Sequence, residues 1–167
     1  MMHSILAATA LAAVLLLPIG AHAQQPGPEW ERCVNRGNQL DVDLQIGACT
    51  TIIQAANETN ENLGVAFGNR GLAWRRKGDN VKAMADYDQA IKLKPDSVSS
   101  YNGRGNIHND RKEWDRALAD FSIAMRLAPN TAIIYNNRGN SWAGKRDHQR
   151  AIADYDEALR LNPRYAN

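Results

Sequence analysis

The sequence predicts an all-α solenoid of antiparallel helix pairs. Three observations carry that prediction. Pro95, Pro129 and Pro163 recur every 34 residues. Small residues recur in register with them: Gly71, Gly105 and Gly139; Ala83, Ala117 and Ala151; Ala90, Ala124 and Ala158. Aromatic residues fill two further columns, Phe67, Tyr101 and Tyr135, then Tyr87, Phe121 and Tyr155. Residues 64–97 align with 132–165 without a gap, at 14 identities. Within a unit, Ala83, Tyr87, Ala90 and Ile91 fall at i, i+4, i+7 and i+8, which is one face of a helix.

Composition narrows the class. The 167 residues are 44% apolar, enough for one modest folded domain and too apolar for a disordered chain. Twenty Lys and Arg stand against 18 Asp and Glu, a net charge of +2, so nothing suggests a nucleic-acid binder. Two cysteines are too few for a disulfide-dense miniprotein or a four-cysteine metal site.

The elements follow in chain order. Ile5–Leu17 is apolar except for Thr9, short for a spanning helix and suited to a secretory signal. Pro18 and Gly20 break it, and Ala21-His22-Ala23 offers small residues at a cleavage site. Residues 1–23 are therefore expected to be a signal peptide, although no Lys or Arg precedes the apolar run. Cleavage would leave a periplasmic or secreted chain with no membrane insertion. Residues 24–63 form the segment before the clear units, and within them 30–63 fit the 34-residue frame weakly: Cys33, Gly37, Leu40, Cys49, Ile53 and Ala56 fall in the expected columns, but Glu61 replaces the closing Pro. They read as a divergent N-terminal helical hairpin, with an unrelated hairpin as the alternative. Residues 64–167 hold three clear units, 64–97, 98–131 and 132–165. Each has two helical stretches split by a polar break, at Lys77-Gly78-Asp79, Asp110-Arg111-Lys112 and Lys145-Arg146-Asp147. The Pro stops each second helix, because it lacks the N–H that would extend the ladder. Asp96-Ser97 and Asn130-Thr131 then offer N-caps. The small columns let the paired helices approach, and stacking buries what no single unit buries alone.

A 34-residue period with these Gly, Ala, aromatic and Pro columns resembles the tetratricopeptide repeat. The resemblance covers 64–165 strongly. It implies a superhelix whose first helices line a concave groove that takes a protein or peptide partner. The first helices carry many Asn: Asn69; Asn102, Asn106 and Asn109; Asn136, Asn137 and Asn140. Asn is a poor helix former, so such a row needs a reason. Its amide donates and accepts at once and can pair with an extended backbone. The alternative is a solvated face whose Asn bond between neighbouring helices. Members of the family that grip a C-terminal carboxylate use Lys and Arg in the groove; here Arg75 and Arg76 suggest one incomplete clamp.

Other polar residues read as structural. Arg70, Arg104 and Arg138 lie 16 residues before Asp86, Asp120 and Asp154, a spacing that suits a repeated Arg–carboxylate pair across each hairpin. Of the histidines beyond the leader, His108 occupies a Trp column and His148 a helix start. There is no H-E-x-x-H, no G-x-S-x-G and no phosphate-binding glycine loop. No catalytic residue, cofactor or metal is expected. Asn57-Glu58-Thr59 matches a glycosylation triplet by chance.

Two further expectations follow from the frame. Cys33 and Cys49 face each other across the N-terminal hairpin and would form a disulfide in an oxidising compartment, buried free thiols being the alternative. At the other end, Tyr155, Ala158 and Leu159 form the face that a next unit would cover. Pairing with a second chain gives a weak homodimer; Tyr165 folding back is the alternative. The functional reading is a non-enzymatic interaction module or scaffold with an Asn-lined groove, and the alternative is a structural subunit that self-associates through this end.

Overall fold

A computed structural model describes residues 27–37, 39–55 and 57–166. The signal-peptide expectation at 1–23 lies outside the described residues. Eight α-helices follow one another, and the described residues contain no strand: α1 (Pro28–Val34), α2 (Val42–Gln54), α3 (Asn60–Lys77), α4 (Asn80–Leu93), α5 (Val98–Asp110), α6 (Trp114–Leu127), α7 (Ala132–Gly144) and α8 (His148–Leu161). A 3₁₀ turn, Pro163–Ala166, closes the described chain against α8. The expected all-α helix-pair solenoid is what the chain forms. The first helix of the second pair, α3, begins at Asn60, a full turn before the 34-residue frame would start it.

Local chemistry sets the helix ends. Asp41, Thr59, Asp79 and Asp147 each accept a backbone N–H of the first turn at the starts of α2, α3, α4 and α8. Ser97 and Thr131 stand at the N-cap positions of α5 and α7 without a side-chain capping bond. The break inside each hairpin has the same left-handed residue: Gly78 at φ 91°, Lys112 at φ 60° and Arg146 at φ 64°. Only the first is glycine, so the other two hold a conformation that costs an L-residue about 1–2 kcal/mol. Each second helix stops two residues before its Pro, and the residue preceding each Pro has left the helical region, as sterics before proline require.

The glycine column has a sharper role than close helix approach. A Cβ on Gly71 would lie 2.9 Å from the Tyr87 ring, on Gly105 2.8 Å from Phe121, and on Gly139 2.6 Å from Tyr155. Each glycine thus receives the aromatic ring of its own second helix. Tyr87 also reaches the following unit, where a Cβ on Gly103 would sit 2.3 Å from the ring. Tyr87, Phe121, Ala83, Ala117, Ala90 and Ala124 are almost fully buried. Burying one such ring contributes several kcal/mol.

Curvature follows from which helices touch. The first helices meet in sequence, α1 with α3, α3 with α5 and α5 with α7, whereas α4, α6 and α8 make no contact with one another. The stack therefore bends with α3, α5 and α7 on its inner side.

The N-terminal pair α1 and α2 packs on α3 and is joined by a Cys33–Cys49 disulfide. Beside it, the fully buried Gln45 donates to the Cys33 carbonyl at 3.0 Å and accepts from the Asn35 and Arg76 side chains. Gln45 so ties α1, the following turn, α2 and α3 together. The turn needs this support, since Asn35 is left-handed at φ 41°. Within the triplet Asn57-Glu58-Thr59, Glu58 accepts from the Trp30 indole and Thr59 caps α3, so two of the three have structural work.

Candidate partner-binding groove

On the inner side a cleft of about 490 Å³ runs across the N-terminal halves of α3, α5 and α7. Its floor and walls are Val65, Gly68 and Asn69 from α3, Val98, Ser99 and Asn102 from α5, and Ile133 and Ile134 from α7. Lys94, Asp96, Ser97 and Thr131 from the connecting turns form the rim. Ile133 is 39% exposed within this lining.

The Asn row divides here. Asn69 and Asn102 line the cleft. Asn106, Asn109 and Asn136 are half-buried outside it, Asn140 is exposed, and Arg75 is half-buried on the C-terminal half of α3, away from the cleft. Asn137 is not a groove residue: it is buried at 9% exposure and donates to the Asn102 Oδ1 at 3.0 Å. Its backbone carbonyl accepts from Asn109, and the buried Ser141 donates to Asn109 Oδ1 at 2.7 Å. Asn137, Asn109 and Ser141 are thus a polar seam between α5 and α7. Asn140 accepts from the Tyr155 hydroxyl at 2.8 Å in an exposed position.

The physical reason is rotation. Neighbouring residues on a helix point about 100° apart, so Asn136 and Asn137 cannot share a face. The 34-residue period carries a signal that residue type alone does not: Val65, Ser99 and Ile133 form one column, and all three line the cleft.

At the rim one cation faces two carboxylates. Lys94 Nζ lies 2.8 Å from Glu61 and 3.2 Å from Asp96, and these carboxylates hold its pKa above the usual lysine range. Each of the hairpins α3–α4, α5–α6 and α7–α8 carries the expected Arg clamp. Arg70 grips Asp86 with two bonds of 2.8 Å, Arg104 grips Asp120 and Arg138 grips Asp154 in the same way. Two clamps also reach the preceding unit, Arg70 to the Thr50 hydroxyl and Arg104 to Asp88. Asp120 above all, then Asp88, hold the Arg104 pKa above its usual value. His108 Nδ1 pairs with Glu113 at 2.6 Å, and that bond is the main reason the Glu113 carboxyl titrates below the usual range. His108 is therefore a bonded structural residue.

The far end of the stack corrects one site residue. Ala158 is buried at 1% exposure and offers no surface to a second chain. Tyr155 and Leu159 are half-buried. Ile152, which the sequence reading passed over, is 58% exposed, whereas Leu118 at the same place in the preceding unit is 8% exposed. The Tyr165 side chain lies outside the described residues.

No cluster of His, Cys, Asp and Glu suited to a metal occurs among the described residues, and no helix there is long and apolar enough to cross a membrane.

Comparison with known proteins agrees with the architecture. The tetratricopeptide repeat family model matches residues 132–165, and a second, TPR repeat, matches 71–110. The chain carries tetratricopeptide repeats. No curated protein matches its sequence. Among solved structures it is similar to MamA from Desulfovibrio magneticus RS-1, at 21% identity over 80% of this chain and 71% of that one, with a TM-score of 0.66. It is also similar to YrrB, described as a TPR protein with an unusual peptide-binding site, at 19% identity over 73% and 61%, TM-score 0.62. The TPR domain of Arabidopsis OM64 matches at 25% identity over 63% and 87%, TM-score 0.61. These likenesses establish the fold.

Proposed function

We propose that the chain is a non-enzymatic protein-interaction module of the cell envelope, periplasmic or secreted, that receives a segment of a partner protein on its inner face. The observation that carries this reading is the cleft across α3, α5 and α7, where apolar Val65, Val98 and Ile133 alternate with Asn69 and Asn102. An elongated surface that is part apolar and part amide suits an extended chain, which offers alternate side chains and backbone polar groups. Tetratricopeptide repeats as a class are interaction scaffolds, which supports a protein partner in general. The envelope assignment is supported by the apolar run Ile5–Leu17 and by the Cys33–Cys49 disulfide, a bond favoured in oxidising compartments.

The test is a pair of charge substitutions compared for binding of the envelope partner recovered with the unmutated chain. Ile133→Arg in the cleft should abolish binding. Ile152→Arg on α8 should leave it unchanged. The reverse pattern would contradict the groove reading.

One observation favours a second reading, the exposure of Ile152 beside Tyr155 and Leu159. On this reading the α8 face pairs with its copy in a weak homodimer. Sedimentation should then show concentration-dependent dimers that Tyr155→Glu or Leu159→Glu removes. A monomer at high concentration would end it.

A further inference from the structure

A repeated ion pair between neighbouring helix pairs is missing one carboxylate. At the first junction Asp43, the second residue of α2, pairs with Lys77, the last residue of α3. At the third junction Asp115, the second residue of α6, pairs with Lys145, the C-cap of α7. The middle junction has Val81 of α4 and Arg111, the C-cap of α5, in these two places. Arg111 stands one 34-residue period from both Lys77 and Lys145, and Val81 one period from Asp115. Among the described residues, Arg111, Lys112 and Arg146 form no ion pair. All three are exposed, and Lys112 and Arg146 are the left-handed residues of their breaks.

Apolar surface lies among these cations. Val81 is 73% exposed and Leu44 60%, the highest values of any large apolar side chain among the described residues. Leu44 follows Asp43, the partner of Lys77, and Val81 shares an open hollow with Trp74, Lys77 and Lys82. Lys82 Nζ sits 4.3 Å over the Trp74 ring, and Arg150 lies 3.6 Å over Trp142. Over 75–82, 110–116 and 145–150, ten Lys and Arg stand against five Asp and Glu. The turn of the first pair, 35–43, adds Arg36 against Asp41 and Asp43, so the edge keeps an excess of cations.

The two ion pairs show that neighbouring breaks adjoin, so these turns form one edge of the stack. A row of projecting turns is a shape that meets a flat surface. Lys and Arg set around exposed aliphatic side chains and Trp suit the boundary of a bilayer, with phosphates at the level of the cations and acyl chains below. We propose that this edge binds peripherally to a membrane surface rich in anionic phospholipid. Arg111, Lys112 and Arg146 meet headgroup phosphates, and Val81 and Leu44 enter the boundary. The cleft lies at the other ends of α3, α5 and α7, so this surface is independent of the groove reading.

The test is flotation of the chain, purified as the cell processes it, with two kinds of vesicle. One is phosphatidylcholine alone; the other contains about one third phosphatidylglycerol. All variants share one N-terminus, so any contribution of the apolar run 5–17 cancels between them. The anionic vesicles should bind at least fivefold more tightly than the neutral ones, and raised salt should weaken that binding. Arg111→Gln with Lys112→Gln should weaken it at least fivefold. Val81→Asp supplies the missing carboxylate and should weaken it at least threefold. Asp115→Val copies the gap at the next junction, leaves Lys145 unpaired and should strengthen it at least twofold. Both positions are exposed, so melting temperatures should hardly change.

Equal binding to the two vesicles, or binding to neither, would overturn the proposal. So would shifts of the same sign for Val81→Asp and Asp115→Val. If a poly-glutamate peptide binds this edge while the anionic vesicles do not, the surface is one for acidic protein and the lipid assignment is wrong.

Discussion

At the residue scale, the glycines separate two effects that a sequence cannot. Gly47 lies inside α2, exposed, with nothing within 4 Å of where a Cβ would stand. Gly47→Ala should raise stability by about 0.5–1 kcal/mol through chain entropy alone. Gly105→Ala should lower it by about 1–3 kcal/mol, because the added methyl meets the buried Phe121 ring. Urea unfolding of the two variants should give midpoint shifts of opposite sign. Tyr87 supplies a pH test. Burial pushes its phenol up to about 12 from an ordinary 10. A raised pKa means that the neutral form is favoured by folding, so this contribution is complete below pH 10 and is lost as pH climbs towards 12. Phe121 fills the same column in the next unit without a hydroxyl. Tyr87→Phe should therefore fold normally at pH 8 and lose less stability than the unmutated chain at pH 11, as read by urea unfolding.

At the scale of elements, the helix pairs were legible because period, small columns and Pro stops agree, and packing demands all three. Turn chemistry was less legible. Nothing in the composition of Lys112 or Arg146 marks a left-handed residue; Gly78 in the equivalent position is the only hint. Lys112→Gly and Arg146→Gly should each stabilise by about 1 kcal/mol, seen as a higher melting temperature. The Asn row was half legible. Residue type reported that the inner helices are polar, but the assignment of Asn137 to the seam and Asn102 to the cleft depends on helix rotation to within one residue. Ile152 was missed because its column is apolar in every unit and only the lack of a neighbour among the described residues exposes it. The α1–α2 pair has its own test. The Cys33–Cys49 disulfide closes a loop for which the chain-entropy estimate is about 3 kcal/mol. Replacing both cysteines with Ser should speed hydrogen exchange in α1 and α2 and leave α7 and α8 unchanged, since each pair contacts only its neighbours. Equal loss of protection throughout the chain would mean that the stack unfolds as one unit.

At the scale of the whole molecule, the sequence specifies a curved rack of helices with a smooth division of labour. Aromatic rings seated on glycines and Arg–Asp clamps hold the last three pairs, and Arg70, Tyr87 and Arg104 link neighbouring pairs. The outer helices are left apart, and the inner helices converge on a surface of Val, Ile and Asn. The most direct measurement of the claim that this inner surface receives the partner is site-specific photocrosslinking in the living source cell. A benzophenone side chain would be placed at Ile133 in the cleft, and separately at Ala119, exposed on the outer helix α6. The expected result is one discrete adduct from position 133 and none from position 119. An adduct from position 119 with none from position 133 would contradict it.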